Sequence, residues 1–518
     1  MAYVFDIAAF SLISGSITLR ILMCIAAILP IVWVYHFVST RPLSGIPIVT
    51  MDGMTPQQSW YTKSREILTK GRKLYPNQPF QVVSYGGPKL ILPQKYLKEV
   101  RDAPEAELFP YMALGTPYEQ PGFDAFKAFS KHTSLVPDVL RIKLTQSLGL
   151  ITSDLAEEGL LVTEELFGKL APGQWHNVKL LPHVTQIIGR FTARTMLGEE
   201  MAHNPEYVDI SIQHGTLVFP ATFQLRRFPR VLWPIISWFH PSCKMLRQHV
   251  RRARKLIGDE VERRAKSARA TLAAGQKVPK THDSVAWVLE QNKSGDELDL
   301  VGFQLMISVA AIHNTSGHLF TALWYLIANP KYIQLVREEA ISVLKEYGWT
   351  RQGLARLRLQ DGVHKECLRI LRSSIPTVRR QIIKQDLTFS DGLTAPKGQN
   401  IIIVPQNEYL GEKEEFYPER WIEKRSVEGE ENKHAFVAAN TENQEYGIGR
   451  HSCPGRWFAN DELKIATCIL LLRYDWKAPT GMPTPYFPTC EEFPITSSAL
   501  AVYMTPREPE IDLSNPRI

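Results

Sequence analysis

Tyr446-Gly447-Ile448-Gly449-Arg450-His451-Ser452-Cys453-Pro454-Gly455-Arg456-Trp457-Phe458-Ala459 is the stretch from which the rest of the chain is read. A lone cysteine is usually a small buried hydrophobe. Cys453, however, stands directly before Pro454, where a helix can begin. Amide N–H groups at a helix start, with the positive end of its dipole, favour thiolate over thiol. Gly447, Gly449 and Gly455 let the backbone bend and approach a flat ligand closely. Arg450, His451 and Arg456 add cationic donors around the sulfur. A negatively charged sulfur on iron donates electron density that favours O–O cleavage.

The 518 residues carry a net charge of +7, and 44% of them are hydrophobic. That excludes a disordered chain and allows a large core. The basic charge is dispersed, with no zinc-finger spacing and no helix-turn-helix signal, so a nucleic-acid partner is not expected. A surface working beside an anionic membrane or an acidic partner explains it better. Six cysteines at 24, 243, 367, 453, 468 and 490 include no CxxC pair. They form no disulfide framework and indicate a reducing compartment.

Ile21–Tyr35, ILMCIAAILPIVWVY, is free of charge and extends to Val38 with only His36 interposed. Such a run nearly covers a hydrocarbon core of roughly 30 Å. A cleaved signal peptide fits poorly, because the N-terminus lacks a basic region and no small-x-small site follows Tyr35. Arg41, Lys63, Arg65, Lys70, Arg72 and Lys73 follow the span, while Asp6 is the only charge before Arg20. The expectation is a luminal N-terminus and membrane anchor over residues 1–40, with a cytosolic catalytic domain over 41–518. Pro42, Gly45 and Pro47 make a stiff hinge between them.

Periodicity predicts a mainly α chain with small β-sheets. Short β-type runs fall at Phe80–Tyr85 and Leu90–Leu92, and a largely helical stretch runs from Val139 to Ala328. Ten Lys or Arg residues within Lys244–Arg269 read as a solvated helix face. Leu300–Asn329, apolar nearly all round, belongs in the middle of the core. A further helix is expected to begin over Lys365–Arg372, with turns and strands over Leu387–Val404. Glu423–His434 reads as a charged exposed loop, and Trp457–Leu472 as a last apolar helix. The sequons at Asn292 and Asn314 read as chance matches.

The Cys453 stretch resembles the haem-thiolate signature of the cytochrome P450 family, aromatic-x-x-Gly-x-(Arg/His)-x-Cys-x-Gly, with Tyr446 in place of the usual Phe. Three other stretches agree with it. Glu366-Cys367-Leu368-Arg369 and Phe416-Tyr417-Pro418-Glu419-Arg420-Trp421 are similar to the family's Glu-x-x-Arg and Phe-x-Pro-x-Arg-Trp elements. The resemblance implies that Glu366, Arg369 and Arg420 form a buried charged triad supporting the cysteine loop. Ala310-Ala311-Ile312-His313-Asn314-Thr315-Ser316 is similar to (Ala/Gly)-Gly-x-(Asp/Glu)-Thr-(Thr/Ser), with Ile312 at the Gly position and Asn314 at the acidic one. By resemblance Thr315, Asn314 and Ser316 serve proton delivery. His313 is open between that relay and core packing.

The same resemblance implies a cytochrome P450 fold with an N-terminal transmembrane helix, and haem b (iron protoporphyrin IX) on Cys453. Tyr446, Gly449 and Gly455 would lie against the cofactor. His451 and either Arg379 or Arg380 would meet its propionates, with Arg141 a weak substitute for the family's Trp-x-x-x-Arg arginine. The implied activity is O₂- and NADPH-dependent oxidation of a lipophilic natural product, terpenoid or related, of fungal secondary-metabolism type. The implied partners are NADPH–cytochrome P450 reductase, docking at Arg450 and Arg456, cytochrome b5 as a second donor, and the lipid of the endoplasmic reticulum. Pocket candidates are Met306, Ser308, Val309, Ile312, Ser374–Thr377, Pro494–Ser498 and part of Phe109–Phe129. Two other classes compete: a haem-thiolate isomerase or dehydratase needing no reductase, and a non-catalytic haem-binding electron relay. Consumption of NADPH and O₂ separates the first; a substrate-induced change in the haem spectrum separates the second.

Overall fold

A computed structural model describes residues 41–104, 108–109, 115–127, 135–277, 281–291, 298–372, 378–404, 415–482, 489–491, 493–494 and 499–513, with isolated positions between 23 and 34. Apart from those isolated positions, the anchor expected over Ile21–Val38 lies outside the described residues. Among those described, no helix is long and apolar enough to cross a membrane.

The principal helices are numbered here in chain order. Helix α1 (Pro56–Leu74) starts at a capping box in which Thr55 and Gln58 satisfy each other's backbone amides. Next come α2 (Thr145–Phe167), α3 (Leu180–Leu197), α4 (Pro205–Leu225), α5 (Trp233–Phe239) and α6 (Pro241–Ala273). They are followed by α7 (Leu300–Ala328), α8 (Pro330–Tyr347), α9 (Arg358–Arg372), α10 (Glu419–Arg425) and α11 (Arg456–Arg473). Helix α7 is the axis of the molecule. Asp299 caps it by accepting from the Gly302 amide, and α3, α4, α6, α8, α9 and α11 all pack on it. That surround is what a helix without a polar face requires.

Strands β1 (Phe80–Ser84), β2 (Gly87–Leu92), β3 (Leu108–Phe109), β5 (Val378–Ile382) and β8 (Asn400–Ile403) form one sheet in the order β1-β2-β8-β5-β3. Strands β6 (Leu387–Thr388) and β7 (Thr394–Ala395) make the hairpin between β5 and β8, turning through Gly392 and Gly398 at positive φ. Strand β4 (His176–Lys179) interrupts the helical stretch expected from Val139 to Ala328. It joins β9 (Tyr474–Lys477) and β10 (Ala501–Pro506) in a second sheet, with Val178 opposite Val502.

Two expectations are corrected. The helix predicted to begin over Lys365–Arg372 begins at Arg358 and ends there. Its first turns read as loop because Gln360, His364 and Lys365 are polar, yet the structure buries all three, with the Gln360 amide donating to the Lys464 carbonyl at 3.0 Å. Within the expected exposed loop Glu423–His434, α10 takes up the first residues, and His434 is buried 6.3 Å from the Trp421 ring. The basic face of α6 is largely solvated as expected, but it also ties its neighbours together. Arg252 meets Glu206 at 3.1 Å, and Arg264 meets Asp283 at 2.6 Å. The exposed pair is worth about 0.2–1 kcal/mol.

Glu462 on α11 is fully buried, with Thr192 donating to one carboxylate oxygen at 3.3 Å and no described partner for the other. Burial pushes its carboxyl well above the ordinary 4.5. The folded protein therefore keeps a proton that the unfolded chain releases, and stability falls as pH rises above about 4.5. Thermal midpoints measured between about pH 5 and pH 8 should fall more steeply for the wild type than for Glu462→Gln.

Candidate active site

The loop carrying Cys453 is folded back on itself by backbone bonds. The Cys453 amide donates to the Tyr446 carbonyl at 2.7 Å, and the Gly447 amide to Gln444 at 2.8 Å. Gly447 and Gly449 take φ of 77° and 65°, the left-handed region that favours glycine. A Cβ on Gly449 would also stand 3.0 Å from the Arg101 side chain. Gly455 differs: its φ is −91°, and nothing lies within 4 Å of where its Cβ would be. That glycine leaves open space and is not needed for the bend.

Helix α11 starts two residues later than Pro454, and no side chain caps it. Its first amides thus remain donors on the cysteine side. Cys453 is half-buried, whereas Cys243, Cys367, Cys468 and Cys490 are buried. Burial drives the Cys468 and Cys490 thiols up to about 12 and about 11. Of the cysteines described, only Cys453 has its surface open to a ligand.

Arg456, expected to contribute charge toward a redox partner, is half-buried and also holds the loop, donating to the Cys453 carbonyl at 2.8 Å and to Val437 at 3.1 Å. Arg450 is exposed, and its carbonyl accepts from Arg141 at 2.9 Å. Arg141 lies in a π-helical turn, Val139–Leu144. The structure thereby brings it to the cysteine loop.

Strand alternation separates the two arginine candidates. Val378, Arg380 and Ile382 share one face of β5, and Val378 and Ile382 pack in the same cluster as Ile448 of the cysteine loop. Arg379 points to the opposite face, where its guanidinium lies 5.1 Å from the Phe493 ring. Burial lowers both guanidiniums to about 10. His451 is pushed down to about 4 by burial, then by Arg380, Arg450 and Arg141, so it meets neutral pH uncharged. The positive charge at this corner therefore comes from arginines.

Behind the loop, Glu366 is 0% exposed and collects donors from two segments. Arg369 donates from Nε and Nη2 at 3.0 and 2.8 Å. Arg420 approaches to 3.4 Å, the Trp421 indole donates at 2.9 Å, and the Tyr417 amide at 3.2 Å. A buried carboxylate is tolerable only when its lone pairs are satisfied in this way. Sequence reasoning found the three charged members and missed Trp421. It also missed Lys365, buried over the Trp421 ring and paired with Glu445 at 3.1 Å, one residue before Tyr446. Its position next to Glu366 was the only available signal.

Helix α7 passes over this loop. The His318 ring lies 5.2 Å from Phe436, which meets Tyr446 edge-on at 5.6 Å. In the middle of the same wrapped helix, Ala310 and Asn314 remain exposed, with Met306 and Ala311 half-buried. Exposure there can face only an internal space. Asn314 and the largely buried Thr315 border that stripe, and the Asn314 amide donates back to Ala310 at 3.1 Å. Ser316 does not join them. It is buried, and its hydroxyl donates to the His313 carbonyl at 3.3 Å. His313 turns toward α4, with Nε2 2.9 Å from the Ile212 carbonyl.

The expected pocket lining shifts accordingly. Met306 lies on the stripe, whereas Ser308, Val309 and Ile312 are buried on other faces. The 374–377 and 495–498 candidates, and most of 109–129 beyond 115–127, lie outside the described residues. An aromatic group that the sequence did not flag lies by Arg379: Phe219 and Phe223 on α4, 6.0 and 5.9 Å from Phe493.

A half-exposed thiol, glycine-lined open space, converging arginines and an internal gap beneath a central helix fit a flat, anionic, metal-bearing ligand, and define a haem-thiolate site. Comparison with known proteins agrees. The family profile described as Cytochrome P450 matches residues 165–499. The chain is 32% identical over 446 residues to the cytochrome P450 monooxygenase bsc2 of Alternaria brassicicola, covering 84% of each. It is 31% identical over 486 residues to bsc11 of the same organism, covering 92% of each. With cytochrome P450 monooxygenase 1 of Gibberella fujikuroi it shares 33% over 412 residues, 78% of this chain and 92% of the relative. The chain belongs to the cytochrome P450 family. It is an oxidoreductase of the monooxygenase type whose cofactor is haem.

Haem retention should separate the two strand arginines. Arg380→Ala should lower the haem-to-protein ratio after purification, and Arg379→Ala should leave it near wild type. Equal losses would contradict the division between the faces of β5.

Proposed function

We propose that this monooxygenase inserts oxygen into a bulky lipophilic natural product, terpenoid or related, with electrons drawn from NADPH through a membrane-bound reductase and cytochrome b5 as a second donor. The observation that carries the reading is the open stripe on α7, Met306, Ala310 and Asn314, in the middle of an otherwise packed helix above the Cys453 loop. Its lining is apolar except for one amide and one hydroxyl, and α4, which packs on α7, carries Phe219 and Phe223 in an aromatic group with Phe493.

Cys453 would hold the haem iron through its sulfur, with the unsatisfied amides at the start of α11 favouring the anion. Arg380, Arg141 and His451 would receive the propionates. The haem, when bound, supplies the reductive activation of dioxygen. Asn314 cannot ionise, so protons would pass by the Thr315 hydroxyl and ordered water, with Asn314 orienting that water. Ser316, turned into its own helix, would take no part.

In this reading residues 1–40 anchor the chain in the endoplasmic reticulum with the catalytic domain in the cytosol. Support comes from the uncharged run Ile21–Tyr35 and from α5. That short helix leaves Ile235, Trp238 and Phe239 60%, 55% and 82% exposed. Lys244, Arg247 and Arg251 surround the adjoining cleft of about 320 Å³. Apolar side chains rimmed by cations suit an anionic bilayer surface.

Membranes containing the full chain and reductase, given candidate terpenoids, should consume NADPH in step with product. Turnover without NADPH would overturn the reading. Thr315→Ala should keep NADPH oxidation but lower product per NADPH severalfold, while Cys453→Ser should lose the ferrous–CO band of thiolate ligation.

A further inference from the structure

His313 stands next to Asn314, yet its ring leaves the open stripe and enters the seam between α7 and α4. There Nε2 lies 2.9 Å from the carbonyl of Ile212. Burial lowers its pKa, so the ring is neutral, and Nε2 must be the protonated nitrogen for it to donate to that oxygen. The ring is seated on Gly215. A Cβ built on Gly215 would fall 2.2 and 2.3 Å from two ring atoms of His313. No side chain larger than glycine leaves that seat intact.

The residue beside Gly215 faces a different helix. His214 is fully buried, stacked on His249 of α6 with ring centroids 5.4 Å apart, and neither of its nitrogens has a described partner. A buried N–H without an acceptor costs about 1–3 kcal/mol. That contact lies between α4 and α6; toward α7, α4 packs in one apolar cluster with Leu305 and Val309, and the His313 bond adds a directional contact to that packing. Just past the end of α4, Arg226 is fixed by buried Glu491 at 3.2 Å, which also binds Lys89 at 3.1 Å. Between that ion pair and the N-terminus of α4, Tyr207 interacts with Ser308, and His313 grips Ile212.

We propose that His313 is a positioning residue, a latch that holds α4 on α7 and sets how fast molecules pass to and from the space beside Asn314 and Thr315. It carries no proton to the reaction. This rests on the reading of that space as the haem's substrate side. The exchange measurement below needs no haem chemistry and so tests the latch separately.

The experiment compares the full-length haem-loaded protein with His313→Ala, His313→Gln and Gly215→Ala. The probe is 4-phenylimidazole, followed by stopped-flow absorbance, alongside hydrogen exchange of residues 205–225. His313→Ala should raise both its association and its dissociation rates about fivefold, the factor that corresponds to about 1 kcal/mol, one hydrogen bond. Its affinity should change little, and the 205–225 segment should lose protection. Gly215→Ala, which leaves the imidazole present but takes its seat, should do the same. His313→Gln, whose amide can still donate, should recover most of the wild-type rates. Unchanged rates and protection in either alanine variant would overturn the latch. So would a His313→Ala variant that alters only the pH profile of NADPH oxidation, because that is the mark of a proton carrier.

Discussion

A carboxylate with no exposed surface needs donors arranged around it before the chain can close, and Glu366 takes them from two distant segments. Arg369 comes from its own helix; Arg420, Trp421 and the Tyr417 amide come from a stretch some fifty residues on. Its neighbour Lys365 carries the same tie forward to Glu445, beside Tyr446. The Tyr446 carbonyl then receives the Cys453 amide. Chain neighbours and polar contacts in alternation thus lead from a buried anion to the Cys453 amide. Breaking it at Glu366 would strand two guanidiniums in the interior, which costs far more than the pair contributes when intact.

The opposite side of the site is held differently. Helix α7 is fixed by packing, and α4 adds to its own apolar packing a few polar points, the Ile212–His313 bond and the Arg226–Glu491 pair. Rigid support under the sulfur, with an α4 contact that the proposed latch releases, suits chemistry in which the cofactor must not move and the reactant must. Parts that open are drawn from the less stable regions of a fold.

How much of this was legible in the sequence depended on whether a feature was local. The cysteine loop, the Glu366–Arg369 spacing and the all-apolar α7 are local patterns, and the fold followed from them. The start of α9 was missed because polarity reads as exposure, and Gln360, His364 and Lys365 are polar residues working in the core. Arg379 and Arg380 could not be told apart until the strand and its neighbours were known, since adjacent residues on a strand differ only in face. Ile312 and Ser316 were assigned to the site by motif position, but a shift of one residue turns a side chain by about 100° on a helix. His313 and Trp421 form their bonds to partners about 101 and 55 positions away in the chain, a separation that no local pattern encodes.

The alternation of β5 also limits how this family member can change over time. Strands β5 and β8 pair with Arg380 opposite Ile401 and Arg379 opposite Ile402. The hairpin between them can gain or lose residues at its tip, Gly392, without disturbing that register, whereas the Gly398 amide is already bonded to the Ile382 carbonyl. A single insertion or deletion inside β5 itself would turn the residues beyond it to the opposite faces, exchanging the places of the arginines and carrying Ile382 out of its apolar cluster. Length variation among descendants of this sequence should therefore accumulate in the hairpin and be purged from the strand.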